Sequence, residues 1–135
     1  MLNITKQSDY GILFVSYLYS RKEKFVPLSD LIRDTQLPNR FMARIAASLV
    51  RNKIIESKEG KVGGYKVSKK IDSISLYDFL KIFEGDLALT KCSIDPDYRC
   101  KWYESCMHKS FLRHTLTNLI SKDLKKWKLV DVFKT

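Results

Sequence analysis

Two breaks between residues 36 and 65 limit what this chain can fold into. Gln36-Leu37-Pro38-Asn39 interrupts one amphipathic run and starts another, and Lys58-Glu59-Gly60-Lys61-Val62-Gly63-Gly64 folds the chain back on itself soon after. Proline disfavours helix at the residue before it, and asparagine is a good N-cap. The spacing therefore predicts a short helix over residues 27–34, with Leu28, Leu31 and Ile32 on one face, and a third helix over 40–52 capped by Asn39. Phe41, Ile45 and Leu49 form the core stripe of the third helix, while Arg40, Arg44 and Arg51 project elsewhere. Upstream, Tyr10, Leu13, Phe14, Tyr17 and Leu18 repeat at helical spacing, giving a first helix over 6–20; the polar run 21–25 is a turn. Two β-prone runs, 53–57 and 65–68, flank the glycine-rich turn and read as a hairpin. Helix, turn, helix and hairpin in this order make a winged helix–turn–helix. Ser75, with Asp78 three residues on, caps a fourth helix lined by Leu76, Phe79, Leu80 and Phe83 and ending near Gly85.

Charge says what such a head is for. The chain carries a formal net charge of +10, and residues 1–70 hold 14 Lys/Arg against 6 Asp/Glu. A positive field confined to one half points to a bound polyanion, here double-stranded DNA. A helix of the third helix's size fits the major groove. Asn39, Arg40, Arg44 and Met42 lie near its groove-entering end, and Arg51 lies further along. On the wing, Lys58, Lys61 and Lys66 supply phosphate contacts, and Gly63 and Gly64 allow close backbone approach. No nucleophile–base grouping, phosphate loop or paired-carboxylate motif appears, so an enzyme is not expected. No stretch is apolar enough to cross a bilayer, and residues 1–11 lack the order of a signal peptide, so the reading is cytoplasmic with no membrane partner.

The second half has a different chemistry. Cys92, Cys100 and Cys106 are the only cysteines and fall within fifteen residues, with gaps of seven and five between them. Three thiols cannot all pair within one chain, and a reducing cytosol disfavours structural disulfides. Thiolates are soft ligands for iron–sulfur or zinc. Zinc pairs are usually closer together, so these gaps favour a loop around a larger cluster, with bare redox thiols as another possibility. Lys91, Arg99 and Lys101 would stabilise anionic sulfur. A cluster on three cysteines lacks one protein ligand; Asp9 and His108 are the candidates, with an exogenous ligand such as water or a thiol as the remaining alternative. A long helix is expected from about Cys106 to Lys126, with Phe111, Leu112, Thr115, Leu116, Leu119, Ile120 and Leu124 as its stripe. No other long helix remains to cover that stripe, so a homodimer is expected. If the helix begins at Cys106, His108 points about 200° away from that cysteine, and both can bind one cluster only where the start is unwound. The organisation is then mainly α with a small β-wing: a winged helix–turn–helix DNA-binding domain over 1–85, a cysteine cluster-binding loop over 86–105, and a long C-terminal dimerisation helix and tail over 106–135.

The residues Ile4-Thr5-Lys6-Gln7-Ser8-Asp9-Tyr10, the helix pair around Leu28 to Leu49, Gly60-Lys61-Val62-Gly63-Gly64-Tyr65, and Ser75-Leu76-Tyr77-Asp78 leading into the cysteine loop together resemble the Rrf-type bacterial regulators. That group contains IscR, NsrR and RirA. The resemblance covers nearly the whole chain. It implies a winged-helix dimer whose promoter binding is controlled by an iron–sulfur cluster, 2Fe–2S or 4Fe–4S, responding to nitric oxide, iron status or redox state. Asp9 matches the place where NsrR-like members carry a carboxylate ligand that reaches the cluster from the partner subunit. The chain departs from the pattern at Glu59, where family wings usually have Arg, and at Ala43, where IscR-like members have an acidic residue. Both departures bear on the operator sequence. The longer first cysteine gap is similar to RirA-like members.

Overall fold

Apolar residues of the first 85 positions gather into one core, and the computed structural model shows how each helix delivers its share. It describes residues 3–21, 24–95 and 97–134; the expected turn at 21–25 and the extreme termini fall partly outside them. Helix α1 (Lys6–Tyr19) buries Gly11, Phe14, Val15 and Leu18. Leu13, expected in that stripe, is exposed instead. Helix α2 (Leu28–Thr35) ends on Gln36 in the left-handed conformation (φ 58°), and Leu31 is its buried anchor. Helix α3 (Asn39–Arg51) buries Met42, Ile45, Ala46 and Leu49.

The start of α3 corrects the sequence reading. Pro38 holds the N-cap position with extended backbone (φ −62°, ψ 117°), and no side chain caps the helix. The proline ring fixes φ at a value suited to the flanking position, which moves Asn39 into the first helical turn. Strands β1 (Ile55–Lys58) and β2 (Gly64–Val67) pair antiparallel, with Ile55 opposite Val67 and Lys58 opposite Gly64. Val26 adds a bridge to Tyr65, each N–H donating to the other's carbonyl at 2.8 Å. Tyr65 packs edge-on against Phe14 (5.8 Å between centroids), so the wing is tied to α1. Helix α4 (Leu76–Glu84) has the predicted Ser75 cap: Ser75 Oγ accepts from Asp78 N–H at 3.0 Å and donates to the Asp78 carboxylate at 2.8 Å, and Gly85 closes the far end.

Beyond Gly85 the chain is mostly turns, with one short helix α5 (Lys91–Ile94). The long helix starts three residues later than expected, at Lys109 rather than Cys106. Its first part, Phe111–Leu116, is a π-helix, followed by α6 (Thr117–Lys126). Part of its stripe turns back on the chain's own α4: Leu124 packs against the core, and Leu112, Leu116 and Ile120 are half-buried. Phe111 and Leu119 remain exposed. The tail, for which the sequence offered no expectation, is α7 (Leu129–Phe133). It places Leu129 and Val130 in the core of the winged head, and Ser75 bridges to Lys128. Among the described residues no helix is long and apolar enough to cross a membrane.

Candidate nucleic-acid interface and cysteine loop

Burial of one face of α3 decides what the other presents. With Met42, Ile45, Ala46 and Leu49 inside, Asn39, Arg40, Ala43, Arg44, Ala47 and Arg51 are exposed. Arg40, Arg44 and Arg51 are four and seven residues apart, so they share a face. Met42, placed at the groove-entering end by its position in sequence, is fully buried and belongs to the core. The Arg40 guanidinium lies over the Phe41 ring, 4.7 Å from its centroid, and Phe41 leans on Tyr10 of α1 at 6.3 Å.

The wing carries Lys58, Lys61 and Lys66. Lys58 and Lys66 both stand over the Phe25 ring, at 5.6 and 5.5 Å. Such contacts hold an ammonium in place while leaving its charge available to an anion. Phe25 was not visible as a functional residue, because its role depends on the wing folding back over it. Lys61 is exposed at the tip. The two expected glycines have a further, internal reason to be glycine. A Cβ on Gly63 would lie 2.2 Å from the Lys58 carbonyl oxygen. One on Gly64, at φ +142°, would lie 2.2 Å from the Val26 carbonyl oxygen. Both let the hairpin close on its neighbours.

The three cysteines are free and half-buried. Cys92 and Cys100 line one open cavity of about 470 Å³ with Arg99, Arg113, Asp95 and Glu104. The Thr90 hydroxyl is 3.2 Å from Cys92 Sγ. Arg113 and Thr90 carry no sequence signal: the first comes from the π-helical turn beyond the loop, the second from a local turn. The expected cations are divided. Arg99 lines the cavity, whereas Lys91 lies over Tyr98 at 5.6 Å and Lys101 over Trp102 at 5.3 Å. Cys106 is not among the residues lining that cavity. His108 precedes the helix, because the helix starts at Lys109, so the start is unwound and the 200° argument against a shared site with Cys106 does not apply. Asp9 is exposed on the first turn of α1. Among the described residues no group of three or more His, Cys, Asp or Glu is arranged to hold a metal ion. The chemistry of the donors, two thiols beside two guanidinium-bearing residues with the third thiol further along the same loop, nevertheless fits a sulfur-ligated metal group.

A basic helix–turn–helix with a wing, joined to a thiol-bearing loop, is the arrangement of a DNA-binding module. Residues 4–135 match the Rrf2 family, described as "Iron-dependent Transcriptional regulator", and the chain belongs to that family. "Protein aau3" of Rhizobium meliloti (strain 1021) is 25% identical over 133 residues, covering 98% of this chain and 86% of that protein. The fold is similar to CymR (YrzC), the global cysteine regulator of B. subtilis, with TM-score 0.73, 18% identity and coverage of 99% and 98% of the two chains. It is also similar to T. potens IscR, with TM-score 0.69, 19% identity and coverage of 98% and 87%.

Proposed function

We propose that this regulator binds a promoter operator as a homodimer, and that an iron–sulfur cluster held by Cys92, Cys100 and Cys106 sets how tightly it binds. One observation carries the reading: three accessible thiols, two of them at one guanidinium-lined cavity, sit on a loop that leads directly out of α4 of a basic reading head. Such a cluster would supply an iron centre open to nitric oxide and oxygen and dependent on the iron supply. The chain contributes the thiolates and the cations of Arg99 and Arg113. Asp9 of the partner subunit is the fourth ligand, with His108 the alternative. A carboxylate is a harder and more replaceable ligand for iron than a thiolate.

In the reading head, Asn39, Arg40, Arg44 and Arg51 meet the major groove. Lys58, Lys61 and the backbone at Gly63 and Gly64 meet the flanking phosphates. The exposed Phe111 and Leu119 dock on the second copy, since a helix leaves large apolar residues in water only at a cost. Half-site spacing then governs affinity.

A second reading is favoured by the open arrangement of the loop: a cluster-free regulator acting through thiol oxidation or a protein partner. Purification without oxygen, with iron and sulfide counts and a visible spectrum, separates the two, followed by gel shifts of loaded and stripped protein on its own upstream DNA. Coloured, iron-rich protein whose affinity changes on stripping supports the cluster. Colourless protein even after reconstitution, with affinity that responds to a thiol oxidant, supports the second reading. No binding to upstream DNA in low salt overturns both.

A further inference from the structure

The first turn of α1 is capped by a residue from the far end of α4. Thr5 is the N-cap, and its Oγ1 accepts from Ser8 N–H at 3.4 Å. A capping box would place a carboxylate at the third helical position, to accept from the N-cap N–H. That position is Ser8. The carboxylate comes instead from Glu84, whose Oε1 accepts from Thr5 N–H at 2.8 Å, from the Thr5 hydroxyl at 2.9 Å and from the Ser8 hydroxyl. Ser8 is fully buried, so its hydroxyl depends on that oxygen. Burial pushes the Glu84 carboxyl up, but the hydrogen bonds from Ser8 and Thr5 outweigh it and hold the group below the usual glutamate range. A negative charge there also suits the positive end of the α1 dipole.

Glu84 is the last residue of α4. Gly85 follows at φ +72°, and the chain then enters the cysteine loop, reaching Cys92 within eight residues of Glu84. On the α1 side, Ser8 is followed by Asp9 and Tyr10, and Tyr10 leans on Phe41 of α3, over which Arg40 lies. One carboxylate thus joins the root of the loop to the helix that supports the recognition helix. We propose that Glu84 is a positioning residue that latches the start of α1, and Asp9 with it, to the root of the cysteine loop, so that a change in the loop reaches the DNA-reading head. The latch rests on the reading of that loop as the sensing element.

The test is amide hydrogen exchange of the full chain before and after its cysteines are alkylated with N-ethylmaleimide. The Thr5, Ser8 and Asp9 amides report the latch, since their acceptors are Glu84 and Thr5. Alkylation of the unsubstituted protein should speed their exchange by about fivefold or more, with the β1–β2 amides unchanged. In Glu84→Ala these amides should already exchange about tenfold faster and ignore alkylation. Glu84→Gln, which keeps an acceptor oxygen, should restore the response. Should Glu84→Ala not fold, Ser8→Ala removes one donor and should weaken the response. First-turn amides that ignore alkylation in the unsubstituted protein, or a Glu84→Ala chain that still responds, overturn the proposal. Iron-free protein would defeat the cluster reading alone, because this exchange measurement uses no iron and no DNA.

Discussion

The winged head and the segment that follows it obey opposite rules of burial. Through residue 85 every helix sends at least one side chain into the core, and α7 returns at the end of the chain to complete it. From 86 to 128 no described residue is buried. Large apolar side chains there face water: Trp102 is 66% exposed, Met107 96%, Phe111 57% and Leu119 63%. The head satisfies itself within one chain. The segment after it leaves several large apolar side chains in water and its three thiols only half-buried, the groups that the proposed second copy and bound cluster would cover.

That contrast can be broken first with stability. Leu129→Ala should cost about 2–5 kcal/mol in chemical denaturation, because it empties a fully buried site of the head. Leu119→Ala should leave single-chain stability within about 0.5 kcal/mol, as exposed substitutions do. It should instead weaken self-association, read as a concentration-dependent shift in sedimentation. Equal costs for the two would erase the distinction between a closed head and an open segment.

DNA binding sharpens it next. Arg40→Ala should cost about 1–3 kcal/mol on the chain's own operator, roughly 5- to 150-fold by fluorescence anisotropy, and should relax the preference for base sequence. Acid provides a third probe. The Glu84 carboxyl is held below its ordinary value of 4.5, so its stabilisation is full above that pH and is lost as pH falls through the lower folded value. Denaturation midpoints of Glu84→Gln should therefore be less sensitive to acid below pH 4.5 than those of the unsubstituted protein. The smallest effect belongs to Lys61→Ala, which should weaken all DNA sequences alike and flatten the dependence of log affinity on log salt by about one unit.

How much of this could be read beforehand differed with the range of the interactions. The wing glycines, the Ser75 cap and the stop at Gly85 are local devices, and each is where its residues placed it; the break at Pro38 is too, although the helix after it begins one residue earlier than expected. The long helix starts three residues later than its apolar spacing suggests, and the π-helical turn at Phe111–Leu116 has no compositional mark. Met42 was placed at the groove although Ile45 and Leu49 were rightly placed in the core, because it lies at the edge of the expected stripe, and only the neighbours of α3 show how wide the buried face is. The three thiols, Asp9 and His108 were visible as residue types. Whether they meet depends on contacts between distant segments, as does the part played by Arg113 and Phe25.

By itself the sequence determined the order of elements in the reading head through α4, the placement of positive charge on that half and the supply of soft donors on one loop, because periodicity, turn chemistry and charge act over a few residues. Only the tertiary structure decided that the last helix belongs to the first domain, and that a carboxylate from the end of α4 caps α1. Those contacts join residues more than 50 positions apart, and which distant groups share a buried space is settled by packing.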